Sequence, residues 1–311
     1  METVPLPPAP ATPRRKLTLV ERLDAYERLM RLDKPIGTLL LLWPTLSALW
    51  LAARGAPRGS VVLIFVVGTL VMRSAGCAMN DWADRDFDGR VARTANRPLA
   101  QRIIAPWEAL AVAAAGALVA FVLVLFTNRA TMLWSIPAVA IAIAYPFIKR
   151  FFALPQAFLG IAFSFGIPMA YAAVQNHVPA LAWALLAVNL CWVVAYDTEY
   201  AMVDRADDAR IGIGTSALTF GRADVLAVGI CYALYLAGMA FIGRIHALGP
   251  IYYAALVLAL LIALNHVWII RDRDPAACFR AFLGNHWLGM TVFAGIAADY
   301  AYRARQWPRM W

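Results

Sequence analysis

Nine runs of apolar residues, each close to the length of a membrane crossing, constrain the fold of this chain more than anything else in it. A helix needs about 20 apolar residues to cross the hydrocarbon core of a bilayer. Such runs fall at 36–53, 60–80, 106–126, 131–148, 156–174, 180–197, 216–242, 248–269 and 282–302. In lipid every backbone amide and carbonyl has to be satisfied internally, so runs of this length fold as helices. Composition agrees, with 62% of the 311 residues hydrophobic and 15% charged, against about 25% charged in an ordinary soluble domain. The expected fold class is all-α, a polytopic membrane protein. Connections as short as Thr127 to Ala130 make the runs they join antiparallel neighbours.

The formal charge of +9 raises the question of nucleic acid, and the placement of the charges answers it. Basic residues are scattered among the loops instead of forming one face, a pattern of topology and anionic lipid headgroups. No nucleic-acid partner is expected; membrane lipid is. With the N-terminus inside, the cytoplasmic loops carry Arg85, Arg90, Arg93, Arg97 and Arg102, then Lys149 and Arg150, then Arg205, Arg210 and Arg222, then Arg271, Arg273 and Arg280. The opposite loops hold only Arg54, Arg58, Arg129 and Arg244; Arg303, Arg305 and Arg309 in the tail vote the other way. Residues 1–17, rich in Pro, Ala and Thr, lack the apolar core of a secretory signal and read as a disordered cytoplasmic tail. Residues 18–32 follow as an amphipathic helix suited to the inner surface, with Leu19, Leu23, Tyr26 and Met30 on its apolar face. The main domain is expected over 18–302, with a C-terminal tail at 303–311.

Polar residues are concentrated where the second run ends, in Asn80-Asp81-Trp82-Ala83-Asp84-Arg85-Asp86-Phe87-Asp88. If the helix continues, Asn80, Asp84 and Asp88 stack on one face at intervals of roughly 6 Å. Carboxylates beside a membrane span are costly unless paired or bound to metal. Stacked carboxylates with an amide beside them suit a hard divalent cation, Mg2+, whose shell phosphate oxygens would complete. A second cluster follows the sixth run, with Asp197, Asp204 and Asp208 on one helical face and Asp207 about 100° away. By topology both clusters lie on the same side of the membrane, so two Mg2+ ions and a diphosphate fit between them. The plainer reading is a pair of solvated acidic helix ends.

Arg73 lies inside the second run, seven residues before Asn80 and about 10 Å deeper on the same face. It either meets a substrate carboxylate or Asp84, or snorkels to the interface. In Tyr145-Pro146-Phe147-Ile148-Lys149-Arg150 the two cations suit phosphate and Tyr145 shares the face of Lys149, although interfacial Tyr and Lys are routine. Arg93 and Arg97 place further cations beside the first acidic motif. Cys77, Cys191, Cys231 and Cys278 form no CxxC pair and the four histidines no HExxH, so redox and zinc chemistry are not indicated.

These segments together resemble the UbiA superfamily of intramembrane aromatic prenyltransferases. The resemblance rests on Arg31 to Gly37, on Asn80 to Gly89 with Arg93-Thr94 and Arg97-Pro98-Leu99, on Tyr145 to Arg150, and on Tyr196 to Asp208. It covers about residues 25–300, and the segments at 33–37 and 196–208 are similar to the branch that acts on 4-hydroxybenzoate. The resemblance implies nine transmembrane helices around a central cavity. It also implies Asp84, Asp88, Asp204 and Asp208 as Mg2+ ligands assisted by Asn80, and catalytic roles for Asp84, Tyr145 and Lys149. Arg73 would hold the aromatic carboxylate; Arg93, Arg97, Lys149 and Arg150 would hold diphosphate. The implied substrates are polyprenyl diphosphate and 4-hydroxybenzoate, and the implied setting is the bacterial inner membrane with the site facing the cytoplasm. Two other readings stay open, a different aromatic or tetrapyrrole acceptor and a transporter. Transporters place such groups near the midplane within repeated halves, whereas here they cluster at one face.

Overall fold

The computed structural model describes residues 18–86, 88–90, 93–148, 151–152, 154–212 and 214–306. Lys149 and Arg150 lie outside that set, as do residues 1–17 and residues 307–311 of the C-terminal tail. Every regular element described is helical. α1 (Leu19–Met30) is followed by α2 (Ile36–Ala52), α3 (Gly59–Asp84), α4 (Pro106–Leu125), α5 (Arg129–Ile148), α6 (Pro155–Ser164), α7 (Gly166–Gln175) and α8 (Ala180–Ile211). The short α9 (Ser216–Phe220) leads into α10 (Asp224–Ile245), α11 (Pro250–Ile269) and α12 (Pro275–Gln306).

The nine apolar runs coincide with α2, α3, α4, α5, the α6–α7 pair, α8, the α9–α10 pair, α11 and α12. Seven of these segments are long and apolar enough to cross a membrane. The other two fall short for different reasons. α2 has 17 residues, about 25 Å of helix against a core of about 30 Å. α12 is long, but Asn285, His286 and Asp299 interrupt its apolar character. Large apolar side chains on the outer faces, such as Leu118 and Phe126 on α4 and its end, Leu133 on α5 and Leu261 on α11, are exposed as a lipid-facing surface requires. The chain is a multi-pass membrane protein.

Proline and glycine set the breaks. Pro106, Pro155, Pro250 and Pro275 open α4, α6, α11 and α12, where a missing amide costs nothing. α6 and α7 part at Phe165, and Gly166 then lets α7 meet α2: a Cβ there would stand 2.4 Å from Thr45 Oγ1. At the tight turn before α5, Asn128 accepts from the backbone and hydroxyl of Thr131 at 3.0 and 2.9 Å and donates to the carbonyls of Ala172 and Ala173.

Consecutive segments pack side by side from α2 through α12, and α12 returns against α2, so the helices close into a ring. α1 is helical as predicted, with a capping box between Thr18 and Glu21. Its buried residues are Ala25 and Leu29, which pack against Ala78, Leu99, Ile104 and Ala109, while Leu19 and Leu23 are exposed.

A buried polar cluster fastens the far side of the ring. Glu199 Oε2 accepts from Asn285 Nδ2 at 2.8 Å, and Tyr232 Oη lies 2.8 Å from Glu199 Oε1 and 2.9 Å from Asn285 Oδ1. Trp192 Nε1 donates to Asn285 Oδ1 at 2.9 Å, and His266 Nδ1 lies 3.1 Å from Tyr232 Oη. One cluster thereby ties α8, α10, α11 and α12. Each polar group buried in lipid needs such a partner.

Candidate active site

The ring encloses a cavity of about 1100 Å³. Its walls come from α1 through α8, the loop at 93–98 and α12; among the described residues α10 and α11 contribute none. The deep part is apolar, with Phe65, Met72, Phe163, Phe165 and Met169, whereas Arg28, Arg31, Lys34, Arg93 and Arg97 gather at the other end. Phe121 of α4 and Ile136 of α5 line the cavity and are 47% and 62% exposed.

The first acidic motif departs from the predicted continuous helix. α3 stops at Asp84, and Asp88 opens a separate turn, Asp88–Arg90. Asn80 and Asp84 keep the expected one-turn spacing, with Asn80 Nδ2 donating to Asp84 Oδ2 at 3.1 Å. Asp88 is drawn away instead: its carboxylate accepts from Arg97 Nη1 at 2.8 and 3.0 Å and its carbonyl from Thr94 Oγ1 at 2.7 Å. Those bonds close the loop and offset the helical bonds lost beyond Asp84. Burial pushes the Asp88 carboxyl above its ordinary pKa, with Arg97 pulling in the opposite direction.

Asp81, which the residue spacing did not single out, is the centre of this end of the protein. It is 1% exposed. Both its oxygens accept from Arg31 Nη2 at 2.9 Å, and Arg97 Nη1 lies 3.0 Å from Oδ1. Arg31 caps α1 in the left-handed region at φ 57°, a conformation that costs a non-glycine residue roughly 1–2 kcal/mol and that the ion pair offsets. The signal was present: Asp81 sits one residue, 100°, off the Asn80–Asp84 face, so a different partner had to neutralise it.

The second motif does continue as a helix, since α8 runs unbroken for 32 residues to Ile211. Asp197 and Tyr200 line the cavity, and Asp208 is buried. Asp207 faces elsewhere and pairs with Arg210 at 3.5 Å. Asp204 is gripped by Arg93, with Nε at 2.8 and 3.0 Å from its oxygens and Nη2 at 2.6 Å. The Arg93 guanidinium also stacks on Tyr200, 4.5 Å from the ring centre. Burial alone would lower the pKa of Arg93, but Tyr200 and Asp204 raise it overall, so the cation is secure.

The fold thus joins the two acidic motifs through arginines of the intervening loop. Carboxylate and amide oxygens are the donors a hard cation takes, so the chemistry of Asn80, Asp84, Asp88, Asp204 and Asp208 fits Mg2+. Their arrangement differs from the predicted stacked faces, because Arg97 and Arg93 hold Asp88 and Asp204. Among the described residues no group of three or more acidic, histidine or cysteine side chains is gathered as a metal cage.

Arg73 points inward instead of snorkelling. It lines the cavity, lies over Phe163 at 5.6 Å, and its buried Nε has no hydrogen-bond partner among the described residues. Tyr145 also lines the cavity. The Tyr196 hydroxyl, on α8, is likewise buried without a partner among the described residues. A cavity with an apolar body, a cationic end and an inward guanidinium in its wall suits an amphiphile with anionic groups.

The model of the UbiA prenyltransferase family matches residues 41–289. The chain belongs to the UbiA prenyltransferase family. It is 60% identical over 288 residues to the 4-hydroxybenzoate octaprenyltransferase of Nitrosospira multiformis, covering 93% of this chain and 99% of that protein. The corresponding protein of Azoarcus sp. is 58% identical over 284 residues, with 91% and 99% covered. Among solved structures, the apo UbiA homologue of Aeropyrum pernix K1 aligns with TM-score 0.74 at 27% identity, over 84% of this chain and 97% of that one. A UbiA homologue from Archaeoglobus fulgidus, solved with GPP and Mg2+, shares the fold at TM-score 0.68 and 17% identity, over 89% and 99%.

Proposed function

We propose that this protein transfers a polyprenyl group from polyprenyl diphosphate to position 3 of 4-hydroxybenzoate, releasing diphosphate, as a step in ubiquinone biosynthesis. The observation that carries this reading is the identity of about 60% over more than 90% of the chain to proteins of that name. The cavity supports it, since it joins a cationic end, an apolar body and an inward arginine.

In this reading Arg93 and Arg97, with Lys149 and Arg150, receive the diphosphate. Asp84, Asp88, Asp204 and Asp208, assisted by Asn80, hold Mg2+. When bound, Mg2+ supplies positive charge against the negative charge that develops on the leaving diphosphate. Arg97 and Arg93 hold Asp88 and Asp204 in this structure, and phosphate oxygens would be alternative partners for those guanidinium groups. The prenyl tail lies in the apolar body, against walls that include the exposed Phe121 and Ile136. Arg73 holds the acceptor carboxylate at depth. Once the allylic C–O bond breaks, the ring carbon ortho to the phenol attacks the cation, which Tyr145 stabilises in a water-poor wall, and Lys149 would offset charge on the departing diphosphate. The ring proton passes to a carboxylate such as Asp84 or to diphosphate. The clustering of arginines in the cytoplasmic loops supports an inner-membrane enzyme with this site facing the cytoplasm.

The test is prenylation by purified protein in detergent with 4-hydroxybenzoate and a polyprenyl diphosphate, with and without Mg2+. A Mg2+-dependent 3-polyprenyl product is expected. Product only with a different ring acceptor would refute the assignment to 4-hydroxybenzoate.

A further inference from the structure

The first turn of α2 presses against the guanidinium of Arg73 at a glycine. A Cβ built on Gly37 would stand 2.5 Å from Arg73 Nη2, 2.6 Å from Nε and 2.9 Å from Cζ. Ordinary contact begins near 3.4 Å. On another side the Phe163 ring lies 5.6 Å from the guanidinium carbon. The group is thus placed by an α2 backbone and an aromatic face, with its buried Nε left without a hydrogen-bond partner among the described residues. Gly37 itself lines the same cavity.

The backbone gives no reason for glycine at this position. Gly37 is the second residue of α2 and is not at positive φ. Alanine is the better helix former of the two. What the position requires is space, and the occupant of that space is the end of Arg73. We propose that Gly37 is a positioning residue for the aromatic acceptor: its missing side chain lets the Arg73 guanidinium lie against α2, aimed at the acceptor carboxylate. This rests on the reading of Arg73 as the carboxylate partner.

Gly37→Ala discriminates, because the atoms that obstruct the new methyl belong to a flexible side chain and no backbone is forced apart. Arg73 must move by about 1 Å to restore contact distance, and a misplacement of about 1 Å costs on the order of 100-fold in a well-oriented site. The experiment measures binding of 4-hydroxybenzoate by calorimetry in detergent, steady-state constants for each substrate separately, and thermal stability. Gly37→Ala is expected to weaken 4-hydroxybenzoate binding and raise its KM at least tenfold. The KM for polyprenyl diphosphate should stay within twofold and the melting temperature should not fall. With 4-hydroxybenzamide, which has no carboxylate charge, wild type and variant should bind alike. Arg73→Met is the companion: it should abolish the preference for the acid over the amide.

If Arg73→Met abolishes that preference and Gly37→Ala binds the acid like wild type, the role of Gly37 is refuted and that of Arg73 stands. If Arg73→Met keeps the preference, the carboxylate reading fails and takes this inference with it. A Gly37→Ala protein that loses affinity for both substrates together, or melts earlier, identifies a packing glycine and overturns the proposal.

Discussion

Replacing Asp81 by asparagine tests whether this acidic motif is partly a structural lock. The side chain is 1% exposed and takes charge-assisted bonds from Arg31 at 2.9 Å and Arg97 at 3.0 Å. Removing one member of a buried ion pair costs about 3–5 kcal/mol, chiefly because a charge is left uncompensated. Two features reduce that figure here. Arg97 keeps Asp88 at 2.8 Å, and an asparagine carbonyl still accepts one bond. The Arg31 side chain, 18% exposed, has no second carboxylate among the described residues and bears most of the loss. The expected destabilisation is about 2–3 kcal/mol.

Asp86 in the same motif supplies the control. It is 73% exposed and 3.6 Å from Arg85, a surface pair that contributes about 0.5 kcal/mol or less. Reversible unfolding of both variants in mixed micelles, followed by helical circular dichroism, separates the cases. Asp81→Asn should unfold at clearly lower denaturant and Asp86→Asn within error of wild type. Equal stability of all three proteins would refute the lock and would free Asp81 to be counted as a ligand.

Three other outcomes follow from the same contacts. Asp84→Ala or Asp204→Ala should lower turnover at saturating Mg2+ by at least about 100-fold, measured by product formation, with near-normal turnover removing that residue from the site. Asn285→Leu severs the bonds to Glu199, Trp192 and Tyr232. At about 0.6 kcal/mol per intramembrane bond, roughly 2 kcal/mol of stability should disappear in the same unfolding assay. His246, between Tyr171 and Tyr300, has its pKa lowered to about 4 by burial and then by the Arg54 charge. A depressed histidine pKa means that the unfolded state takes up the proton first. Stability is then full above about 6.5 and declines as pH falls from there towards 4; melting temperature against pH checks this, and His246→Gln should flatten the slope.

What the chain discloses by itself and what it withholds divide along a physical line. The helices were legible because lipid leaves the backbone no alternative, and Asp197, which residue spacing put on the acidic face of α8, lines the cavity. The end of α3 was not legible. Asn80, Asp84 and Asp88 have perfect helical spacing, yet Asp88 leaves the helix because Arg97, nine residues on, competes for its carboxylate. A pattern of intervals within one helix contains no information about a partner brought in by a loop. Glu199 is the opposite case. It lies two residues, about 200°, from Asp197, so it could not share the acidic face and had to find buried partners elsewhere. Asn285 and His266 stood in later apolar runs as the unclaimed polar groups able to meet it. An ionisable residue in a span that fails the periodicity of its neighbours points to a second, separate set of contacts. In this protein those contacts hold the rotation of α8, and that rotation decides which carboxylates reach the cavity.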